Sequence, residues 1–485
     1  MKEWTLAERY RVLKDKSELE LLYNRTKQSL YRQAYHVQPI TGLSSDPNGF
    51  IYHQGLWHLF YQWCPWGAVH GLKYWYHTVS ADLIHWQNKG IGLAPDTRYD
   101  NKGVHSGSGF SEGSDFYLFY TGNHRDENWI RTPYTCAAKV NEAGEIKKLS
   151  QPLFGPHPDY AEHQRDPKIV YHEAKQSYYI LLGAQSKELK GKVLVYKSKH
   201  LLEDWHFAGE LRVPGYEDLG GMWECPSIAH IDGKDVLVFS PQYTKLPGRS
   251  NNTNHNIYLI GRMDYDRLTF TAEGPYRFLD YGFDFYAAQF AANVQEMDRA
   301  VLTAWIGLPD NHYPTENEDW EGSLTLPREL RIVNGRLRQL PLAQIKELRQ
   351  EKLQSEQELP RVCEIQAINK GADFCLKLFA RSDGSGGLII SYDAANNSCL
   401  IDRSQMAQRF NRELGEQLTI PLDSPLTNLA VFVDRSSVEL FINQGEATFT
   451  SHLYPVEEEH TYTVSGELDV AIWTLKTAVS DEFII

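Results

Sequence analysis

No run of about 18 apolar residues occurs anywhere in the 485-residue sequence, so a membrane-spanning helix is not expected. The opening stretch "MKEWTLAERYRVLKDKSELE" is densely charged and lacks an apolar core segment, which argues against a secretory signal and for a cytoplasmic protein. Cysteine is sparse. Cys64, Cys136, Cys225, Cys363, Cys375 and Cys399 are scattered, form no CxxC pair and share no histidine spacing of the kind zinc uses. Free thiols in a reducing compartment fit that pattern, and no motif for a metal or cofactor is present. Positive charge is in deficit: 49 Lys and Arg face 63 Asp and Glu, a net charge of −14 that opposes general attraction to nucleic acid or an anionic membrane surface. No motif sets an oligomeric state.

Aromatic residues are abundant, with 12 Trp, 28 Tyr and 20 Phe. Packing is their ordinary use, and the flat C–H faces of sugars offer a second. Residues 1–34 read as a charged, helical N-terminal segment with Leu19, Leu22, Tyr23, Leu30 and Tyr31 as its apolar contacts. From His36 the texture changes to short runs of Tyr, Phe, Val, Ile and Trp punctuated by Gly, Asn, Asp and Pro, the pattern of many antiparallel strands. "FIYHQGLWHLFYQW" reads as a hairpin turning at His53-Gln54-Gly55. The segments "YHTVSADLIHW", "VYKSKHLLEDW" and, more loosely, "GRMDYDRLTF" echo one another, which implies radial repetition over 35–335: a propeller of about five blades, with packed sandwiches as the alternative. Charged periodicity predicts a linker helix over 336–357, and alternating strands predict a β-sandwich over 358–485. The fold class is all-β.

Three acidic residues stand at proline corners: Asp46 in "SSDPNG", Asp166 in "HQRDPKI" and Glu224 in "GMWECPS". Proline biases Asp46 and Asp166 toward an extended conformation, plausibly at a strand edge. A single Asp-Pro is ordinarily a turn starter. Three corners in successive blades have another use, because the inner strands of a propeller line one channel where distant residues converge. Paired carboxylates suit glycoside hydrolysis, one ionised to attack or to activate water and the other protonated to serve the leaving oxygen. Trp223 and Cys225 make the surroundings of Glu224 the less polar, which marks it as the acid; Ser45, Asn48 and backbone N–H groups surround Asp46, which marks it as the nucleophile.

The chain closely resembles glycoside hydrolase family 32, the invertase and sucrose-6-phosphate hydrolase family. "HVQP", "DPNGF", "LFYQ", "HSGSGF", "FYTGN", "RDP", "ECP", "DFYAAQ", "LTAWIGLPD", "LTLPREL" and "DRSSVELFIN" match its blocks in order over nearly the whole chain. The resemblance implies a five-bladed β-propeller with a C-terminal β-sandwich that cleaves β-fructofuranosides with retention and without a cofactor. It implies Asp46 as nucleophile, Glu224 as acid and base, and Asp166 as transition-state stabiliser beside Arg165. Sugar contacts are assigned by the same likeness to Leu43, Ser44, Ser45, Asn48, Gln62, Trp66, His105, Ser106, Arg165 and Tyr286. Trp75 either walls the sugar site or packs a blade.

The form "HGLKYW" resembles intracellular sucrose-6-phosphate hydrolases more than secreted invertases; Lys73 reads first as a solvated lysine, the usual state of a long charged side chain, with a point charge that meets a phosphate as the alternative, and His70 is open in the same way. Ser45 departs from the family, which places Asn before the nucleophile. The expected activity is hydrolysis of sucrose 6-phosphate or sucrose. Fructosyl transfer, fructan hydrolysis, a non-catalytic fructoside-binding propeller and an inverting arabinan-type glycosidase stand as alternatives.

Overall fold

The computed structural model describes residues 3–249, 251–294, 300–354 and 358–485. Five antiparallel sheets follow one another, spanning Gly42 to Leu93, Val104 to Lys148, Tyr160 to Glu210, Met222 to Phe278 and Tyr286 to Pro341. The first strand of each is the inner one, and these inner strands meet in a ring in which Gly42–His53 touches both Val104–Glu112 and Tyr286–Phe290. Closure is reinforced by a short parallel pairing of Trp320–Glu321 with Gly42–Leu43. The chain is thus a five-bladed propeller. The first hairpin turns at Gln54-Gly55, as its sequence predicts. The three echoing segments occupy one structural position, the passage from third to fourth strand in blades one, three and four.

Every inner strand breaks register near the same end: between Ser44 and Pro47, His105 and Gly107, Arg165 and Lys168, Glu224 and Ser227, and Tyr286 and Gln289. In three of them the break contains a proline, Pro47, Pro167 or Pro226, which has no N–H to give the ladder. A bulge re-aims the side chains beside it, so the proline corners become the means by which carboxylates turn out of the sheet.

The N-terminal segment forms helices Leu6–Arg9 and Lys16–Thr26, the second capped by Asp15 accepting from the Ser17 N–H at 2.8 Å. Leu19 and Leu22 are buried and Tyr23 packs against them, but Leu30 is 73% exposed and makes no apolar contact of the predicted kind. Residues 1 and 2 lie outside the described residues. The predicted linker helix is not formed over the described part of 336–357. Arg336–Pro341 is the outer strand of blade five, Ala343–Leu348 is a single 3-10 stretch and Arg349–Lys352 pairs with Thr461–Leu475; 355–357 lie outside the described residues. Edge pairing claims the first third, Pro341 stops it, and one tight turn suffices to bury Ile345 and Leu348. No helix among the described residues is long and apolar enough to cross a membrane.

Strands from Arg349 to Leu475 build the C-terminal β-sandwich, in which the long strand Val362–Ala380 pairs on one edge with Thr461–Leu475 and on the other with Asn428–Asp434 and then Leu388–Asp393. Its "DRSSVELFIN" motif is an anchor. Asp434 accepts from the N–H groups of Ala34, Tyr35 and His36, and Glu439 accepts from the Leu326 N–H and from Arg328, whose other side meets Asp280 at 2.9 Å. His36 bridges Asp434 and Glu439 at 2.9 Å each, fully buried. Burial opposes its charge, yet the two carboxylates win and lift its pKa to about 9. A histidine raised above its unfolded value contributes stability that is complete below about pH 6.5 and is lost as pH rises through about 9. The expected result is that the stability gap between wild type and His36→Gln, on the order of 3 kcal/mol near pH 6, narrows steadily toward pH 10 in denaturant titrations. A gap that stays constant refutes the charged His36.

Candidate active site

The bulges at one end of the ring bring Asp46, Asp166 and Glu224 together from blades one, three and four, not from successive blades as the sequence suggests. Asp46, half-buried, accepts from Ser106 Oγ at 2.5 Å and from Gln62 Nε2 at 3.3 Å, both through Oδ2. Gln62 and Ser106 also bond each other, and Ser45 Oγ reaches Gln62 Oε1 at 3.3 Å. Cys225 Sγ lies between the two aspartates, 3.9 Å from Asp46 Oδ2 and 3.6 Å from Asp166 Oδ2, while its backbone N–H donates to Asp166 at 3.0 Å. The three blades that supply the carboxylates are therefore tied through a thiol that sequence reasoning treated only as an apolar neighbour; its place in "ECP" was the available signal.

Asp166 is not extended. Its φ is +66°, and that of Cys225 is +48°. Left-handed non-glycine residues cost on the order of 1 kcal/mol or more, so the preference set by the following proline is overridden at Asp166. The Asp166 N–H donating to Thr121 Oγ1 at 2.9 Å, and the Cys225 N–H donating back to its carboxylate, hold that geometry. Asp166 is buried, and burial together with the charges of Glu224 and Asp46, against the opposing pull of Arg165, raises its pKa to about 7. Burial and the two nearby carboxylates thus make its charge expensive in spite of Arg165, and a further positive centre beside it favours the ionised form.

The surroundings of Glu224 are not the apolar ones expected. Arg165 donates to Oε1 through Nε at 2.8 Å and through NH2 at 2.5 Å, and Tyr286 donates to Oε2 at 2.7 Å. Strand alternation sends Trp223 the other way, into a buried cluster where it stacks on Phe239 with ring centroids 4.3 Å apart. Polar donors, not an apolar wall, surround the Glu224 carboxylate.

Other predicted contacts divide clearly. Gln62, Ser106, Arg165 and Tyr286 touch the carboxylates, and Ser45 touches Gln62. Asn48 is fully buried and acts as a brace between blades one and two, donating to Asp46 O at 2.7 Å and accepting from the Gly107 N–H at 2.9 Å. Leu43 is in the hydrophobic core, and Ser44 is buried against Gly322, on the opposite face from Ser45. Trp66 is engaged by the N-terminal segment: Arg11 lies 3.6 Å over its ring and its Nε1 donates to Arg11 O at 3.0 Å. Trp75 is fully buried in the first blade interface, which settles it as packing. Lys73 is not a solvated lysine; its Nζ turns inward to Gln62 Oε1. His105 is half-buried beside it, and burial followed by the charges of Lys73, Arg131 and Arg165 holds it neutral, well below its ordinary range. Burial likewise pushes His70 down to about 3. Missed altogether was His163, whose Nδ1 faces two guanidiniums, Arg165 NH1 at 2.8 Å and Arg131 NH1 at 3.3 Å.

Comparison with known proteins places this architecture. Residues 36–341 match the model of the glycosyl hydrolases family 32 N-terminal domain, and residues 338–474 match that of the family's C-terminal domain. A sucrose-6-phosphate hydrolase of Vibrio alginolyticus is 37% identical over 98% of this chain and 97% of its own, and one of Staphylococcus xylosus is 35% identical over 96% and 97%. Among solved structures, sucrose-6-phosphate hydrolase from Lactobacillus gasseri superposes with a TM-score of 0.92 at 34% identity, covering 98% of this chain and all of the other. A β-fructofuranosidase of Bombyx mori in complex with sucrose superposes with a TM-score of 0.82 at 28% identity, covering 96% and 99%.

Proposed function

Because this chain belongs to glycosyl hydrolase family 32 and is a β-fructofuranosidase, we propose that its substrate is sucrose 6-phosphate and that Asp46, Glu224 and Asp166 carry the reaction. The convergence of the three carboxylates through Cys225 is the observation that supports the roles. Asp46, steadied by Ser106 and Gln62, attacks fructose C2 as Glu224 gives its proton to the glycosidic oxygen. The C2–O bond breaks, glucose 6-phosphate departs and an Asp46–fructosyl ester remains. Glu224 then takes a proton from water, which attacks C2 and frees Asp46. Asp166 faces C2 as it gains positive character, and that charge favours the ionised carboxylate which burial and its neighbours oppose in the free protein. Its oxygens also orient the fructose hydroxyls.

The names of the full-length relatives and the inward turn of Lys73 support the phosphorylated substrate. Six free cysteines support a reducing, cytoplasmic location. Initial rates on sucrose, sucrose 6-phosphate, raffinose and inulin test the reading. We expect kcat/KM for sucrose 6-phosphate to exceed that for sucrose by at least about tenfold, a difference of ~1.4 kcal/mol in transition-state binding. Equal efficiencies on the two would sink the phosphate assignment while leaving the fructosidase intact.

A further inference from the structure

Arg131 opens the third strand of blade two and reaches His163, the neighbour of Arg165. Among the described residues the only hydrogen-bond partner of its side chain is His163, and no carboxylate lies within ion-pair distance. Its Nε is buried without a partner. The acid that most favours its charge, Glu162, is exposed, whereas Arg165 and Arg125 repel it. Lys73, whose charge with that of Arg131 bears on His105, bonds through Nζ only a neutral amide oxygen among the described residues. Among the described residues, therefore, neither cation has an ion-pair partner, in a chain whose net charge is −14.

His163 sharpens the oddity. With two guanidiniums donating toward Nδ1, it can act there only as a neutral acceptor, and burial followed by Arg165 and Arg131 holds its pKa to about 4. Such a cluster is costly while empty, since like charges are gathered in a partly desolvated wall. A dianion relieves that cost, and a guanidinium with free N–H groups is the donor best matched to phosphate.

Position identifies the occupant. Contacts run from Glu224 to Arg165, from Arg165 to His163 and from His163 to Arg131. Glu224 marks the glycosidic oxygen, so Arg131 is the first uncompensated cation on the leaving-group side. On its other side His163 lines an open groove of about 580 Å³ that reaches Lys190 and Tyr243. The lysine there is already neutralised by Asp218.

We propose that Arg131 and His163, with Lys73, hold the 6-phosphate of the leaving glucose and set the preference for a phosphorylated substrate. This rests on the substrate reading above and adds the residues that enforce it. The test compares wild type with Arg131→Met and Lys190→Met on two readouts. The first is the ratio of kcat/KM for sucrose 6-phosphate over sucrose. It is expected to fall about 30- to 100-fold in Arg131→Met, chiefly through KM, and to stay within about twofold in Lys190→Met. A structural role for Arg131 would lower both substrates together, and an unchanged ratio overturns the proposal. So does an equal fall in Lys190→Met.

The second readout is inhibition of sucrose hydrolysis by glucose 6-phosphate and by glucose. Wild type is expected to bind the phosphorylated sugar at least about tenfold more tightly, and Arg131→Met to lose that advantage. If wild type shows no kinetic preference for sucrose 6-phosphate, the substrate reading fails on its own. The site then stands if the inhibition gap exists and Arg131→Met abolishes it, and falls if glucose 6-phosphate and glucose inhibit alike.

Discussion

Replacing Asp46 by alanine is expected to lower kcat on either fructoside by about five orders of magnitude, with the fold retained. In the proposed mechanism no other described group beside Asp46 can supply the missing nucleophile. Cys225 is the nearest candidate, but burial and then the charges of Asp166, Asp46 and Glu224 push its thiol far above its ordinary range, so it stays protonated and inert. Asp166 is held by its own N–H bonds in a left-handed corner of blade three and cannot swing across. The melting temperature is expected to hold, because removal of one of three crowded carboxylates relieves like-charge repulsion even as Ser106 and Gln62 lose an acceptor. Added azide is expected to restore part of the activity by occupying the vacated volume and attacking C2 from that side, giving a fructosyl azide of inverted configuration. A variant that retains more than about one hundredth of wild-type turnover refutes the covalent role.

The architecture was legible because its signals were repeated. Period-two apolar strands, the echoing third-to-fourth strand passages and the three proline corners each recur around the ring, so one misread copy does not change the fold. The corners were legible for a local reason: a proline in an inner strand must break the ladder, and a break at one end of a propeller faces the channel. Long-range contacts account for what was misread. Lys73, read as a solvated lysine, is drawn in by Gln62 from the neighbouring strand, and the Arg11 that stacks on Trp66 comes from 55 residues away. The sign of φ at Asp166 depends on Thr121 in another blade. Neither Asn48 as a brace nor Leu43 as core is announced by its place two residues from Ser45 or Asp46; the register breaks of the inner strand separate them, and simple alternation does not show those breaks. The helix read over 336–357 failed because sheet edges on both sides took the same backbone.

The polar shell around Glu224 gives the second large expectation its form. Arg165 clasps one carboxylate oxygen and Tyr286 the other, so in the proposed mechanism the proton that reaches the glycosidic oxygen is carried on a group with three donors already aimed at it. Substrate arrival must displace one of these contacts, and Tyr286 Oη is the single-bond partner, easier to exchange than the two-point guanidinium. Glu224→Gln keeps the shape and removes the proton. Turnover of sucrose 6-phosphate and of sucrose is expected to fall by about three to four orders of magnitude, within the range for loss of a general acid and base.

A fructosyl fluoride needs no proton on its leaving group, so formation of the Asp46 ester from it is expected to slow by less than about tenfold in the same variant. Hydrolysis of that ester still needs Glu224 as base. The fructosyl-enzyme should therefore accumulate, visible as a burst of fluoride equal to the enzyme concentration and as added sugar mass on the peptide containing Asp46. Azide, which attacks without giving up a proton, should then clear the ester and restore turnover with retained configuration. Equal losses on the fluoride and on sucrose 6-phosphate, with no burst, would assign Glu224 to holding Arg165 in place and leave the proton to another group.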